Sequence, residues 1–290
     1  MITVIRSPLA SHAFNPNTLF VPPWQYDPVE TMGLVSGTKP FETIRFAREE
    51  DRKRARWLMD STDPETREFG RWLDMATVQR QLPLSPASCF YMRACRRKLL
   101  GAVLETVYGM GYCDVEFVAI TMIHPQWFFK AGDLHKADPK AIRKQLRRWF
   151  ERAGVIAADG FFFGALHGEF DGTGYQLHFH GIARGKKAQL IGKLYGRFGF
   201  ISTAGIQHPV ECEDVYDLGG WLGYSLKSYW LQKLKYDDKN GNTKRGKKQR
   251  LGKLQHEEIL MWMAKQHLLS LIIYSGFSSA PWGRMGKRNL

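Results

Sequence analysis

The chain has 290 residues, enough for one large domain or two smaller ones that each bury a core. Lys and Arg number 42 against 28 Asp and Glu, and the resulting net charge of +14 points to a polyanionic partner, nucleic acid being the commonest. The N-terminus lacks a signal-peptide core, no apolar run is long enough for a bilayer, and Cys89, Cys95, Cys113 and Cys212 form no C-x-x-C pair, so secretion, membrane insertion and a zinc ribbon are set aside and a cytoplasmic protein is expected.

In chain order, residues 1–40 read as irregular, because Pro8, Pro16, Pro22, Pro23 and Pro28 interrupt any regular element. Residues 41–82 turn helical and charged, with Asp63-Pro64-Glu65 as a helix start: Asp caps and Pro fits the first turn. A further helical stretch is expected over 86–108, carrying Arg93, Arg96, Arg97 and Lys98. No chemical motif stands out up to residue 110.

The texture then changes. Residues 115–123 (VEFVAITMI) form a β-branched, apolar run that reads as a buried strand. Asp138-Pro139 opens a helix to about Ala153. Residues 161–170 and 175–183 read as two strands joined by a hairpin turn, Asp171-Gly172-Thr173-Gly174. A helix is expected over 186–198, with Gly199 ending it, then a strand over 206–212 and a helix over 217–235. This strand–helix–strand–strand–helix–strand order is a split β-α-β arrangement, so the expected fold is α+β: a ferredoxin-like or RRM-like antiparallel sheet with helices on one face. Residues 239–253 (KNGNTKRGKKQRLGK) are basic and almost without apolar side chains, and read either as a disordered DNA-binding segment or as a solvated loop between helices. A last amphipathic helix is expected over 255–273. The implied organisation is a helical region 1–110, a central domain 111–236, a basic linker 237–254, and a C-terminal helix with tail 255–290.

Chemistry concentrates in the central domain. Side chains alternate across a strand, so His178 and His180 of His178-Phe179-His180 project from one face while Phe179 enters the core. Two imidazoles so placed can chelate one divalent cation. On the preceding strand His167 and Glu169 also share a face, and the tight turn brings that strand alongside. Glu169 is preferred as third ligand for its charge and its nearness to the turn, with His167 as the alternative; a carboxylate in the set suits Mg²⁺ or Mn²⁺. Further on, Tyr224 and Lys227 are three residues apart and share one side of a helix. A phenol near pKa 10 is a weak nucleophile that a neighbouring ammonium and a metal-bound phosphate would assist.

Three ordered pieces, the strand Phe117-Val118-Ala119-Ile120-Thr121, the triplet His178-Phe179-His180 and Tyr224-Ser225-Leu226-Lys227, resemble the motifs of HUH endonucleases. More narrowly, they are similar to the replication initiators of rolling-circle plasmids and phages. The resemblance spans roughly residues 115–235. It implies Mg²⁺ or Mn²⁺ on His178 and His180, with Glu169 matched only by strand position. It further implies Tyr224 as a nucleophile that leaves a 5′-phosphotyrosine and a free 3′-hydroxyl, and Lys227 as the motif's lysine. Tyr229 lies about 140° from Tyr224 on a helix, so a one-tyrosine enzyme is expected, with Tyr229 and Lys233 as the fallback pair.

Single-stranded origin DNA is the expected partner. Arg143, Lys144, Arg147 and Arg148 on one helix, and Lys244, Arg245, Lys247 and Lys248 in the basic segment, are the expected phosphate contacts. Trp221, Tyr229 and Trp230 are candidates for stacking on unpaired bases. No G-x-x-x-x-G-K-[ST] loop or other small-molecule nucleotide site is detected, so a separate host helicase is expected to unwind the duplex and a host polymerase to extend the 3′ end. Two rival readings stay open: a related transposase or conjugative relaxase, and a non-catalytic nucleic-acid-binding module.

Overall fold

A computed structural model describes residues 4–9, 43–96 and 116–276, apart from 204, 226, 228, 238 and 240–242. The expectations for 10–42, for the second half of the helix over 86–108 with Arg97 and Lys98, and for Cys113 and the tail lie outside the described residues.

Asp63 accepts from the Thr66 amide at 2.8 Å, and Pro64 takes the first turn, as its fixed φ allows. The charged N-terminal stretch accordingly forms two helices, α1 (Ile44–Met59) and α2 (Pro64–Val78). A third, α3 (residues 89–96), is anchored by the buried carboxylate of Asp51, which accepts from the Ser88 hydroxyl at 2.6 Å and from the Cys89 and Phe90 amides at 2.6 and 3.1 Å. Two short parallel strands, β1 (Val4–Arg6) and β2 (Leu82–Leu84), tie the chain's start to this helical part.

The apolar, alternating segments build the main sheet. β3 (Phe117–Lys130), β4 (Phe161–Phe170), β5 (Gly174–Arg184) and β6 (Val210–Asp214) are antiparallel in the order β4-β5-β3-β6. The β4–β5 turn is fixed by Asp171, whose carboxylate accepts from the Thr173 and Gly174 amides at 2.9 and 3.1 Å; Gly172 supplies the left-handed residue (φ +104). β3 runs longer than its apolar core suggests and shifts register between Ile123 and Phe128. β6 starts later than expected and reaches Asp214. The other edge of β4 is shared: β7 (Leu231–Gln232) pairs parallel with Glu169 and Phe170, and β11 (Ile272–Ser275) pairs antiparallel with residues 162–165.

Alternation decides the two faces. Phe162, Leu166, Phe170, Tyr175, Leu177 and Phe179 face one way, into a core shared with α4 (Pro139–Arg152), α5 (Gly185–Gly192) and α7 (Lys253–Ala264). Phe161, Phe163, Ala165 and Ile182 face the other way and pack with α1, α3 and α6 (Leu218–Ser225). Helices therefore cover both faces, not one as expected, because the strands are apolar on both sides. The N-terminal helices join the main body rather than standing apart: the Ser61 hydroxyl donates to Glu257 at 2.5 Å, and Trp57 packs edge-on against His256 of α7.

Several expected helices are shorter. The helix over 186–198 stops at Gly192, and that over 217–235 stops at Ser225, since Gly219, Gly220 and Gly223 give it little intrinsic support. The one over 255–273 ends at Ala264, and its β-branched Ile272-Ile273 goes into β11. The basic segment is ordered where described: β8 (Lys235–Asp237) pairs with β9 (Thr243–Arg245), and β10 (Gln249–Arg250) adds to β7. Among the described residues no helix is long and apolar enough to cross a membrane.

Candidate active site and metal centre

β4 and β5 bring three histidines together. Their register sets His167 directly opposite His178, and His180 follows on the same face. One nitrogen from each of the three lies within 4.8 Å of the others. The Nε2 atoms of His178 and His180 are 3.0 Å apart.

Burial holds these rings neutral. It pushes His178 down to about 4, with Lys227 adding repulsion against the opposing pull of Glu169. It drives His180 and His167 far below the usual histidine range, and neighbouring rings and Lys227 add to this. Neutral imidazoles are the form that binds a metal. Their outer nitrogens are set by the backbone: His178 Nδ1 donates to the Gln176 carbonyl at 3.2 Å, leaving Nε2 as a lone pair. His180 Nδ1 meets the Thr121 hydroxyl at 3.0 Å. A hydroxyl both donates and accepts, so Thr121 serves either tautomer of His180. His167 Nδ1 is buried without a hydrogen-bond partner. With a buried nitrogen left unpartnered on one of three clustered imidazoles, the three residues fit a divalent cation.

Glu169, the preferred third ligand, lines the same cleft but is not part of the cluster. Its carboxylate pairs with Lys233 Nζ at 2.6 Å, and His167 completes the cluster in its place. Glu169 faces Gln176, one step nearer the turn than the His167–His178 pair.

α6 crosses this face of the sheet and places Tyr224 beside the histidines. The Tyr224 ring lies 5.1 Å from that of His180 and 6.3 Å from that of His167. Lys227 follows one turn later, held by its amide on the Tyr224 carbonyl at 3.2 Å. Its Nζ donates to the Tyr224 hydroxyl at 3.1 Å. Burial and the neighbouring Lys248 push Lys227 down to about 8, while burial and Glu169 raise Tyr224. Tyr229 lies beyond the end of α6, so the helical angle between the two tyrosines does not apply.

His178, His180, Glu169, Tyr224 and Lys227 line one cleft of about 570 Å³, a volume ordinary for a ligand site, with His167 buried behind it. Lys227, Lys233 and Lys248 form a basic side, and Glu211, Glu213 and Asp217 an acidic one. The acidic side, Gln176 and Thr121 escaped sequence reasoning. Thr121 pairs with both His180 and Glu211, a register no local pattern shows.

The other expected contacts divide. Lys248 and Trp221 line the cleft, whereas Trp230 is buried against Trp262 and Tyr175. Arg143 is half-buried and donates to the Leu269 and Ile272 carbonyls, securing β11. Arg147 pairs with Glu151 at 3.2 Å on the helix surface. Lys144 and Arg148 are exposed on α4, which packs on the face opposite Tyr224. Lys247 is exposed, and the Lys244 and Arg245 side chains lie outside the described residues.

Comparison with family models, with curated proteins and with solved structures gives no match, so the functional reading rests on this geometry.

Proposed function

We propose that the chain is a metal-dependent enzyme that nicks and rejoins single-stranded DNA through Tyr224, acting as a rolling-circle replication initiator. One observation carries the reading: a phenol with a lysine on its oxygen stands beside three neutral histidines on one sheet face. The antiparallel order β4-β5-β3-β6, with helices α4 and α5 between strands, is also that of a split β-α-β sheet.

In this reading Tyr224 Oη attacks phosphorus, an Oη–P bond forms and the P–O3′ bond breaks. Lys227, pushed down to about 8, takes the phenolic proton in its neutral form and then faces the phosphotyrosine as an ammonium. The departing 3′ oxygen takes its proton from water, and attack by a 3′-hydroxyl reverses the step and reseals the strand. A divalent cation held by His167, His178 and His180 would supply Lewis-acid polarisation of the phosphate. An all-imidazole set favours Mn²⁺ over the harder Mg²⁺. The basic side of the cleft receives the phosphates, leaving Trp221 for a base.

The test is a denaturant-resistant adduct between the protein and labelled single-stranded origin DNA in Mn²⁺. Wild type should form it, and Tyr224→Phe should bind DNA without forming it. An adduct in that variant assigns the chemistry to another residue.

A further inference from the structure

We infer that His167 couples metal binding to the placement of Tyr224, a proposal that rests on the functional reading above. His167 Nε2 lies 2.5 Å from the carbonyl oxygen of Ser225. A carbonyl only accepts, so Nε2 carries the hydrogen. Nδ1 is the buried nitrogen without a partner, and with the hydrogen on Nε2 it is the one that can offer a lone pair to a cation. One imidazole therefore offers a donor nitrogen to the histidine cluster and a hydrogen to the backbone next to Tyr224.

Ser225 is the last residue of α6, and a helix end leaves its carbonyls without helical partners. α6 has eight residues, three of them glycine, and among the described residues its end is held locally only by the Lys227 amide on the Tyr224 carbonyl and the Ser225 hydroxyl on the Trp221 carbonyl. His167 reaches from the rigid sheet and supplies the missing donor. When Nδ1 gives its lone pair to a cation, the ring loses electron density and Nε2–H becomes a stronger donor. Metal loading then tightens the hold on the residue bonded to Tyr224. By reciprocity, fixing that helix end raises metal affinity. His167 acts here as a positioning residue, since its touch on Tyr224 runs through the Ser225 carbonyl.

Two replacements separate the roles. His167→Glu replaces the imidazole with an anionic ligand that has no hydrogen for the carbonyl; His167→Gln supplies an oxygen donor and an N–H. The readouts are Mn²⁺ affinity by EPR titration, amide exchange over residues 221–227 with and without Mn²⁺, and adduct rate at saturating Mn²⁺. In wild type, Mn²⁺ should slow exchange in this stretch about fivefold or more. His167→Glu should bind Mn²⁺ within about tenfold of wild type yet lose the slowing, with adduct rate down about tenfold or more. His167→Gln should restore much of both. If wild-type exchange does not respond to bound Mn²⁺, or His167→Glu keeps the full response, the coupling is wrong. That wild-type measurement decides even if a variant fails to fold. Failure of the functional reading looks different: no Mn²⁺ binding, or an adduct that survives Tyr224→Phe.

Discussion

The β4–β5 hairpin presents two faces made of alternate residues of the same two strands. On one, Phe162, Leu166, Leu177 and Phe179 pack under α4, α5 and α7. On the other, His167, His178 and His180 sit under Tyr224. The first face is closed by close-packed apolar side chains; the second keeps neutral imidazoles buried with one nitrogen unpartnered, at a cost in stability. The comparison teaches that a strand can assign stability and chemistry to alternate positions, so that a single-residue slip would exchange them.

Substitutions can break or sharpen that contrast. The largest effect is expected for Tyr224→Phe, with adduct formation down at least about a thousandfold and an unchanged melting temperature. A comparable loss of stability would erase the distinction between the faces. Gly168→Ala tests the packing face: an added Cβ would lie 2.2 Å from the Trp230 ring. Thermal or denaturant unfolding should show a loss of about 1–3 kcal/mol, with nicking per folded molecule retained.

A subtler effect concerns protons. Three ordinary histidines would release about two protons on binding a metal at pH 6. Here His178 is pushed down to about 4, and His167 and His180 are lowered too, so all three stay neutral at pH 6 and almost none should be released. Calorimetry of Mn²⁺ binding in buffers of different ionisation enthalpy measures this. The same shifts set a stability trend: below pH 6.5 the unfolded chain takes protons that folded His178 refuses until about pH 4. His178 therefore lowers stability as the pH is reduced from 6.5 to about 4.

The smallest effect is in salt dependence. Lys248→Ala should lower the slope of log affinity for single-stranded DNA against log salt by about 0.7, and Arg148→Ala, on the opposite side, should leave it unchanged. Equal changes would mean that DNA wraps both faces.

Much of this site was legible in the sequence. The hairpin follows from two apolar runs about an Asp-Gly turn, and Asp138-Pro139 marks the start of α4, where Asp138 accepts from the Lys140 amide at 2.8 Å. The third histidine was legible as well: counting back from the turn pairs Phe170 with Tyr175 and so His167 with His178. Preferring Glu169 for its charge overlooked that count, and Lys233 claims that charge from a distant segment. The basic helix misled because side-chain type says nothing of which face of the sheet a helix covers. Arg143 reads as a phosphate contact until the partner carbonyls of Leu269 and Ile272 are known. The length of α6 and the strand character of residues 272–275 depend on partners more than 100 residues away for β11, beyond the reach of any local window.

That late pairing has a consequence for synthesis. β4, which carries His167, lies beside a segment made more than 100 residues afterwards. Until residues 272–275 leave the ribosome, the outer edge of β4 along 162–165 has open backbone groups. A nascent or C-terminally clipped chain therefore carries the Tyr224 segment but not the completed sheet beneath it. The order of synthesis thus leaves the sheet beneath Tyr224 incomplete until residues 272–275 have been made.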